Sequence, residues 1–191
     1  FSFGEGDIRY LSADMNTAEV SATDGWDSVR NIEATAAGAA AIVLTDFVNA
    51  DVTLGDGGDS TVVVDGASSG TIATGGGADT IDVDAMTNYD GWSNLFDIRA
   101  GAGDDTVTVT GDKGFTEVIV DGGAGNDRIA VDGAYDWASI AGGAGDDVLI
   151  GGVGGDVLAG GVGSDRLDGG AGDDVLHYSA DAAWSGGSAK N

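Results

Sequence analysis

The sequence predicts an all-β protein folded as a right-handed parallel β-solenoid, in which one coil consists of two nine-residue repeats. Three observations lead to this fold class. Nonapeptides follow one another without gaps near the end of the sequence, weaker copies precede them at similar intervals, and short β-rich runs separate the copies. Because glycine permits tight loops and runs of Val, Ile and Thr favour strands, we expect two short strands and two loops in each coil.

Four consecutive nonapeptides begin at residue 142, and each reads Gly-Gly-x-Gly-x-Asp-x-apolar-x. They are GGAGDDVLI (142–150), GGVGGDVLA (151–159), GGVGSDRLD (160–168) and GGAGDDVLH (169–177). One glycine-rich motif would be a weak signal, but four copies in a single register are a specific one.

Looser copies lie upstream and are spaced at similar intervals. They are LGDGGDSTV (54–62), TGGGADTID (74–82), AGAGDDTVT (100–108) and GGAGNDRIA (122–130). The copies that start at 54, 74, 100, 122, 142 and 160 are 20, 26, 22, 20 and 18 residues apart. This spacing fits a coil of two nonapeptides, with insertions in the half of the coil that lacks a copy.

The runs between the turns have the length and composition of strands. The predicted strands are TVVV (61–64), TIDV (80–83), TVTV (106–109), EVIV (117–120) and RIAV (128–131). The eighth position of the repeat is apolar, and we expect these side chains to point inward and form a thin core. In the four consecutive copies they are Leu149, Leu158, Leu167 and Leu176.

The sequence divides into four segments. Residues 1–27 are expected to cap the solenoid, and residues 28–53 to form coils without the glycine–aspartate turn, because VRNIEAT, IVL and VTL recur there about every ten residues. Residues 54–178 contain the repeats. Residues 179–191 are expected to be an extension that continues into a longer protein.

The composition excludes several classes of protein. The chain has 191 residues, with 33 acidic against 7 basic side chains and a formal charge of −26, so its surface repels nucleic-acid phosphates. It has no cysteine, which rules out disulfides and thiolate zinc sites, and no apolar run near the roughly 20 residues of a membrane span. Only four acidic residues are Glu. An excess of Asp is typical of turns and of calcium sites, whose ligands are oxygens.

The nonapeptides GGxGxDxUx, in which U is apolar, closely resemble the RTX (repeats-in-toxin) family of hemolysin-type calcium-binding repeats. The resemblance covers residues 142–177 without interruption and residues 54–177 more loosely. It implies a parallel β-roll that binds Ca²⁺ between loops on the same side of successive coils. It also implies the ligands: the carbonyls of positions 2 and 4 and the Asp of the lower loop, and the carbonyls of positions 1 and 3 and the Asp of the upper loop.

Carried onto this sequence, the resemblance implies six pairs of turns and about six calcium ions. In chain order, Gly55, Gly57 and Asp59 face Thr74, Gly76 and Asp79; Gly75, Gly77 and Asp79 face Ala100, Ala102 and Asp105; Gly101, Gly103 and Asp105 face Gly122, Ala124 and Asp127. Further on, Gly123, Gly125 and Asp127 face Gly142, Ala144 and Asp147; Gly143, Gly145 and Asp147 face Gly160, Val162 and Asp165; Gly152, Gly154 and Asp156 face Gly169, Ala171 and Asp174. Three upstream copies lack glycine at position 1. The implied ligand set tolerates this departure, because it needs only a backbone carbonyl at that position.

Simple electrostatics leads to the same cation and to a dependence of folding on it. Calcium takes six to eight oxygens at about 2.4 Å, so an ion between loops about 4.8 Å apart reaches both, whereas magnesium requires shorter bonds. Without a cation, two carboxylates at that separation repel by roughly 3–4 kcal/mol at an effective dielectric constant of about 20. We therefore expect the repeats to be unfolded without calcium and to fold on binding it.

No catalytic residue is predicted. The single histidine, His177, lies at the variable ninth position with no partner constellation, and the sequence contains no HExxH. The first interpretation is a non-catalytic calcium-binding module of a secreted protein, for which the resemblance implies type I secretion from a Gram-negative bacterium. Two alternatives stay open: an adhesin or surface-layer module that contacts a cell-surface partner or another copy of itself, and the non-catalytic tail of an exported protease, lipase or epimerase.

Overall fold

The chain is a parallel β-solenoid. A computed structural model describes residues 2–3, 11–12, 17–22, 31–45, 47–85, 95–115, 117–135 and 137–178. These residues form two parallel sheets of nine strands each, and the chain alternates between the sheets from one strand to the next. The predicted all-β solenoid class is confirmed. Among the described residues there is no helix that could cross a membrane.

The odd-numbered strands form one sheet in chain order. They are β1 (Ser2–Phe3), β3 (Thr17–Ala22), β5 (Ala41–Thr45), β7 (Thr61–Ala67), β9 (Thr80–Ala85), β11 (Thr106–Phe115), β13 (Arg128–Tyr135), β15 (Val148–Ile150) and β17 (Arg166–Asp168). The even-numbered strands form the other sheet. They are β2 (Leu11–Ser12), β4 (Asn31–Ala36), β6 (Asn49–Leu54), β8 (Gly70–Ala73), β10 (Leu95–Ala102), β12 (Glu117–Ala124), β14 (Ala138–Ala144), β16 (Val157–Val162) and β18 (Val175–His177). All five predicted strands lie within β7, β9, β11, β12 and β13.

The core lies between the two sheets and is one residue layer thick on each side. Along β9 the side chains of Ile81, Val83 and Ala85 are buried while the intervening Thr and Asp side chains are exposed, as the two-residue period of a strand requires. Parallel pairing stacks the inward residues of successive coils into ladders, such as Ile81, Val107, Ile129, Leu149 and Leu167. The leucines at position 8 are buried as predicted, except that Leu176 in the last described coil is only partly buried.

The length of each coil follows the predicted spacing with one exception. Hydrogen bonds between equivalent turn residues join positions 26, 22, 20 and 18 apart along the repeats. The first interval is 19 residues, from Ser60 to Asp79, where the repeat starts predicted 20. This one-residue difference changes the alignment of the first turn, as described below.

The structure describes the flanking segments only in part. Strands β1, β2 and β3, within residues 1–27, pair with β3, β4 and β5 and so join the same two sheets. Residues 28–30 and 179–191 lie outside the described residues. The division into capping, repeat and extension segments stays a prediction.

When the turns are saturated with calcium, the inward-facing ladders of apolar side chains should supply most of the free energy of folding. Ile129 has 0 % of its surface exposed, while Ile119 lies on the outer face of β12. We expect Ile129→Ala to lower the free energy of unfolding by about 2–5 kcal/mol, as for other buried Ile→Ala changes. Ile119→Ala removes the same atoms and should cost less than half as much. The measurement is urea unfolding in saturating calcium, and equal costs for the two variants would contradict the assigned strand faces.

Candidate metal centre

The aspartates at position 6 form a buried line along one side of the solenoid. We call Asp79, Asp105, Asp127, Asp147 and Asp165 the carboxylate column. The first four are only 1–2 % exposed. The backbone N–H of each Asp donates to Oδ1 of the next Asp along the column, at 2.7, 2.9, 2.8 and 3.1 Å. On the opposite side, the N–H of Asp156 donates to Oδ1 of Asp174 at 3.0 Å.

All but one of these aspartates have a second carboxylate oxygen that is buried without a hydrogen-bond partner. Among the residues that the structure describes, six buried Oδ2 atoms are left without a donor, and they belong to Asp79, Asp105, Asp127, Asp147, Asp156 and Asp165. A buried carboxylate oxygen that accepts nothing is costly, and native proteins rarely tolerate one without an ion or a donor beside it. Their recurrence at position 6 of the repeat marks this side chain as the place where a cation would bind.

Glycine at position 1 leaves open the space into which Oδ2 points. A Cβ atom built on Gly151 would lie 2.6 Å from Oδ2 of Asp156 and 2.7 Å from the carbonyl oxygen of Gly169 in the following coil. At Gly142 the same atom would contact Oδ2 of Asp147 and lie 2.7 Å from the carbonyl oxygen of Gly160. A carboxylate oxygen and a carbonyl oxygen from two successive coils therefore face one another across a space that glycine keeps empty.

Glycines at positions 2 and 4 allow the coils to stack this closely. Gly143 and Gly145 have φ of 114° and 140°, a region that other residues rarely adopt. A Cβ on either would also collide with the carbonyl of the equivalent glycine in the preceding coil. The repeat therefore requires glycine at positions 2 and 4 for backbone geometry. At position 1, glycine avoids a collision with the carboxylate in the turns of Gly142 and Gly151, whereas two upstream turns have Thr74 and Ala100 there.

Backbone hydrogen bonds hold the predicted carbonyl ligands in line. The N–H at position 4 donates to the carbonyl at position 3 of the following coil, as in Gly145 to Val162 at 2.8 Å and Gly154 to Ala171 at 2.9 Å. The N–H at position 3 donates to the carbonyl at position 2 of the preceding coil, as in Ala171 to Gly152 at 2.8 Å. A carbonyl has two lone pairs, so one hydrogen bond leaves each oxygen able to bind a cation.

The structure brings together five of the six predicted pairs of turns. The aspartates at position 6 are in register in all five, from Asp79 with Asp105 to Asp156 with Asp174. Their glycines stack as well: Gly101 on Gly75, Gly123 on Gly101, Gly143 on Gly123, Gly161 on Gly143 and Gly170 on Gly152. The individual metal ligands within these pairs stay predictions.

The alignment of the first pair is wrong. Asp56 pairs with Gly76, as predicted, but the next glycine is an extra residue. Gly58, with φ of 111°, takes the place assigned to Gly57 and donates its N–H to the carbonyl of Gly76. Consequently Asp59 is exposed, and Ser60 takes the buried place opposite Asp79, where its N–H donates to Asp79 Oδ1 at 2.6 Å.

A second ladder at position 5 was not predicted. Oδ1 of Asp104, Asn126 and Asp146 accepts the N–H of the position-5 residue in the following coil, at 2.7, 2.8 and 2.8 Å. Asp59 does the same for Ala78 at 2.8 Å. These side chains are exposed, so part of the aspartate content stabilises the turns from outside and does not face the carboxylate column. The mixture of Asp, Asn and Ser at position 5 was the available signal.

The donor set fits a hard cation that takes most of its ligands from the backbone. Among the described residues, no cluster brings three His, Cys, Asp or Glu side chains together. Each of the five aligned pairs of turns instead offers carboxylate oxygens from two aspartates and a set of carbonyl oxygens. Neutral and anionic oxygens in this combination are what calcium prefers.

Burial also changes the acidity of these carboxyl groups. Removal from water raises the pKa of Asp105 and of Asp147 to about 6, from an ordinary value of 3.8. A backbone N–H donated to each carboxylate opposes the rise, and the neighbouring aspartates of the column add to it. Burial raises the pKa of Asp127 and Asp156 as well. In the absence of a cation, the fold therefore favours protonated carboxyl groups.

Comparison with known proteins identifies the repeats. The model of the RTX calcium-binding nonapeptide repeat matches residues 118–138 and 150–182, in four copies. No curated protein and no solved structure matches the chain.

The raised pKa values predict how pH acts on the metal-free chain. A carboxyl group whose pKa is higher in the folded state stabilises the fold below its unfolded value, near 3.8, and this contribution is lost as the pH rises through about 6. We expect metal-free protein to hold more β structure at pH 5 than at pH 8, measured by circular dichroism after removal of metal on a chelating resin. A metal-free fold that becomes more stable between pH 5 and pH 8 would contradict the assignment.

Proposed function

Because residues 118–138 and 150–182 carry RTX calcium-binding nonapeptide repeats, we propose that this chain is a structural, non-catalytic module of a secreted protein and that it folds when it meets calcium. The parent protein would be exported by type I secretion from a Gram-negative bacterium. Calcium would then act as the structural link between successive coils.

The observation that supports this function best is the set of buried Oδ2 atoms without a donor. They lie at position 6 of the repeat, and those of Asp127, Asp147, Asp156 and Asp165 lie next to the glycine at position 1 of their own turn. Held between two turns, calcium would take an Asp oxygen from each coil and carbonyl oxygens from the glycine-rich loops, and would neutralise the column. In the last full pair on this side, the aspartates are Asp147 and Asp165.

The same arrangement ties folding to the concentration of calcium. Without the ion, each coil added to the stack would place another carboxylate next to the last one, in a site that water cannot enter freely. Binding a cation removes this cost, so that the binding free energy becomes folding free energy. Sites of extracellular modules commonly bind calcium with dissociation constants on the order of 10⁻⁴–10⁻³ M.

This coupling suits export. At the low free calcium of a cytosol the repeats would stay unfolded and could pass through a narrow channel. Outside the cell the higher calcium concentration would drive folding, and the highly acidic chain, with a formal charge of −26, would stay soluble throughout.

A calcium titration of metal-free protein tests the proposal. We expect circular dichroism to show a cooperative gain of β signal with calcium, and little gain with the same concentration of magnesium, because magnesium gives up its water reluctantly and needs shorter bonds. A full β signal before any metal is added, or an equal response to both ions, would contradict a calcium-driven fold.

Two neighbouring aspartates provide a matched pair of variants. Asp147 is buried with an unpartnered Oδ2, whereas Asp146 is exposed and its Oδ1 accepts the N–H of Ser164. Asp147→Asn and Asp146→Asn remove the same charge from the same turn, and both keep an Oδ1 acceptor. We expect Asp147→Asn to raise the midpoint of the calcium titration roughly tenfold or more, the scale of one lost charged contact.

The Asp146→Asn variant should shift the midpoint by less than threefold, as expected of an exposed charge whose effect is screened. Equal shifts for the two variants would mean that net charge, and not the carboxylate column, sets the calcium dependence.

A further inference from the structure

We propose that the residue at position 1 of each turn decides whether the space above it holds calcium, so that only three of the six predicted sites do. Glycine leaves open the sites above Gly122, Gly142 and Gly151, while Thr74 and Ala100 fill theirs. This inference rests on the proposed function, because it concerns which of the RTX turns in this chain bind the ion.

The open sites share one geometry. In each, a Cβ atom on the position-1 glycine would lie beside Oδ2 of the Asp in its own turn and 2.7 Å from the position-1 carbonyl of the following coil. The carboxylate oxygens are those of Asp127, Asp147 and Asp156, and the carbonyls are those of Gly142, Gly160 and Gly169. The two oxygens therefore converge beside the position-1 glycine, and a side chain there would collide with both of them.

Thr74 fills the corresponding space between its own coil and the next. Its side chain is fully buried, and Oγ1 donates a hydrogen bond of 2.7 Å to the carbonyl oxygen of Ala100. That carbonyl is the equivalent of Gly142, Gly160 and Gly169 in the open sites. The threonine hydroxyl thus takes a lone pair on the oxygen that calcium would use, and it links the two coils without an ion.

Ala100 places a methyl group at the next site. It lies at position 1 of the turn that contains Asp105, and it is 0 % exposed. The glycines at position 1 have no positive φ, so alanine is compatible with the backbone, and its effect is to occupy space. Since Asp79 and Asp105 also have an unpartnered Oδ2, the carboxylates alone do not distinguish these turns from the open ones. The position-1 side chain does.

The remaining predicted site fails for a different reason. The extra residue in its turn leaves Asp59 exposed and places Ser60 opposite Asp79, so the lower loop offers no carboxylate. Position 1 is also occupied there by Leu54, which is 4 % exposed. The cation sites are therefore confined to the coils after Gly122, and the upstream coils are joined by side chains and hydrogen bonds.

The experiment counts bound ions in the full chain and in three single variants, by native mass spectrometry in calcium and by elemental analysis after gel filtration. Thr74→Gly and Ala100→Gly should each gain one ion relative to the unaltered chain, because each opens a space beside a buried carboxylate. Gly142→Ala should lose one, because it recreates at Asp147 the arrangement present at Ala100. Because each variant is compared with the unaltered chain, ions bound at other sites contribute equally to both counts and do not affect the difference.

The outcomes separate the inference from the proposed function. If the unaltered chain binds calcium but the three variants bind the same number of ions as it does, position 1 does not control occupancy and the inference is wrong while the function stands. If the unaltered chain binds no calcium, the proposed function fails and the inference fails with it. Should Gly142→Ala not fold, the gain or absence of an ion in Ala100→Gly decides.

Discussion

The structure depends on one interaction, which we propose to be that between a buried aspartate oxygen and a calcium ion held between two successive coils. Every other feature of the turn serves to bring Oδ2 to the same place. Glycines at positions 2 and 4 let the coils stack closely, and Oδ1 is fixed by the N–H of the preceding coil. Aspartate fits this role better than glutamate, because its short side chain keeps both oxygens within the loop. A β-solenoid so acidic is stable only if the charge in this column is compensated.

The turn that contains Asp104 and Asp105 is joined to its neighbours in both directions by aspartate. At position 6, Asp127 Oδ1 accepts from the preceding coil, while at position 5, Asp104 Oδ1 accepts from the following one. The position-6 contact is buried and leaves Oδ2 without a donor, so that this oxygen can bind a cation. The position-5 contact is exposed, so that water can solvate its second oxygen. Adjacent residues of the same type therefore have different roles, and these differ both in burial and in which coil donates the hydrogen bond. Inside, ladders of Ile, Val and Leu hold the sheets together, so the cations add to a core that is already continuous.

Much of this arrangement could be predicted from the sequence. The repeated nonapeptide predicts the strands and the line of aspartates from Asp79 to Asp165, because turns of the same sequence stack in register even though the intervals between them vary from 18 to 26 residues. Two features could not be predicted. The extra residue at Gly57 could not be detected from the sequence, because the motif still has glycine at position 4 and aspartate at position 6. The hydroxyl of Thr74 was missed because a ligand set based on carbonyls treats the position-1 side chain as irrelevant, whereas the structure directs it into the site.

The central claim is that calcium lies between Oδ2 of one coil and the position-1 carbonyl of the next. The most direct test is a crystal structure of the chain grown in calcium, with anomalous data collected at long wavelength. The account predicts anomalous peaks that contact Oδ2 of Asp127, Asp147 and Asp156, each shared with a carbonyl oxygen of the following coil. A folded chain in which these oxygens are bonded only to water, with no anomalous density beside them, would contradict it.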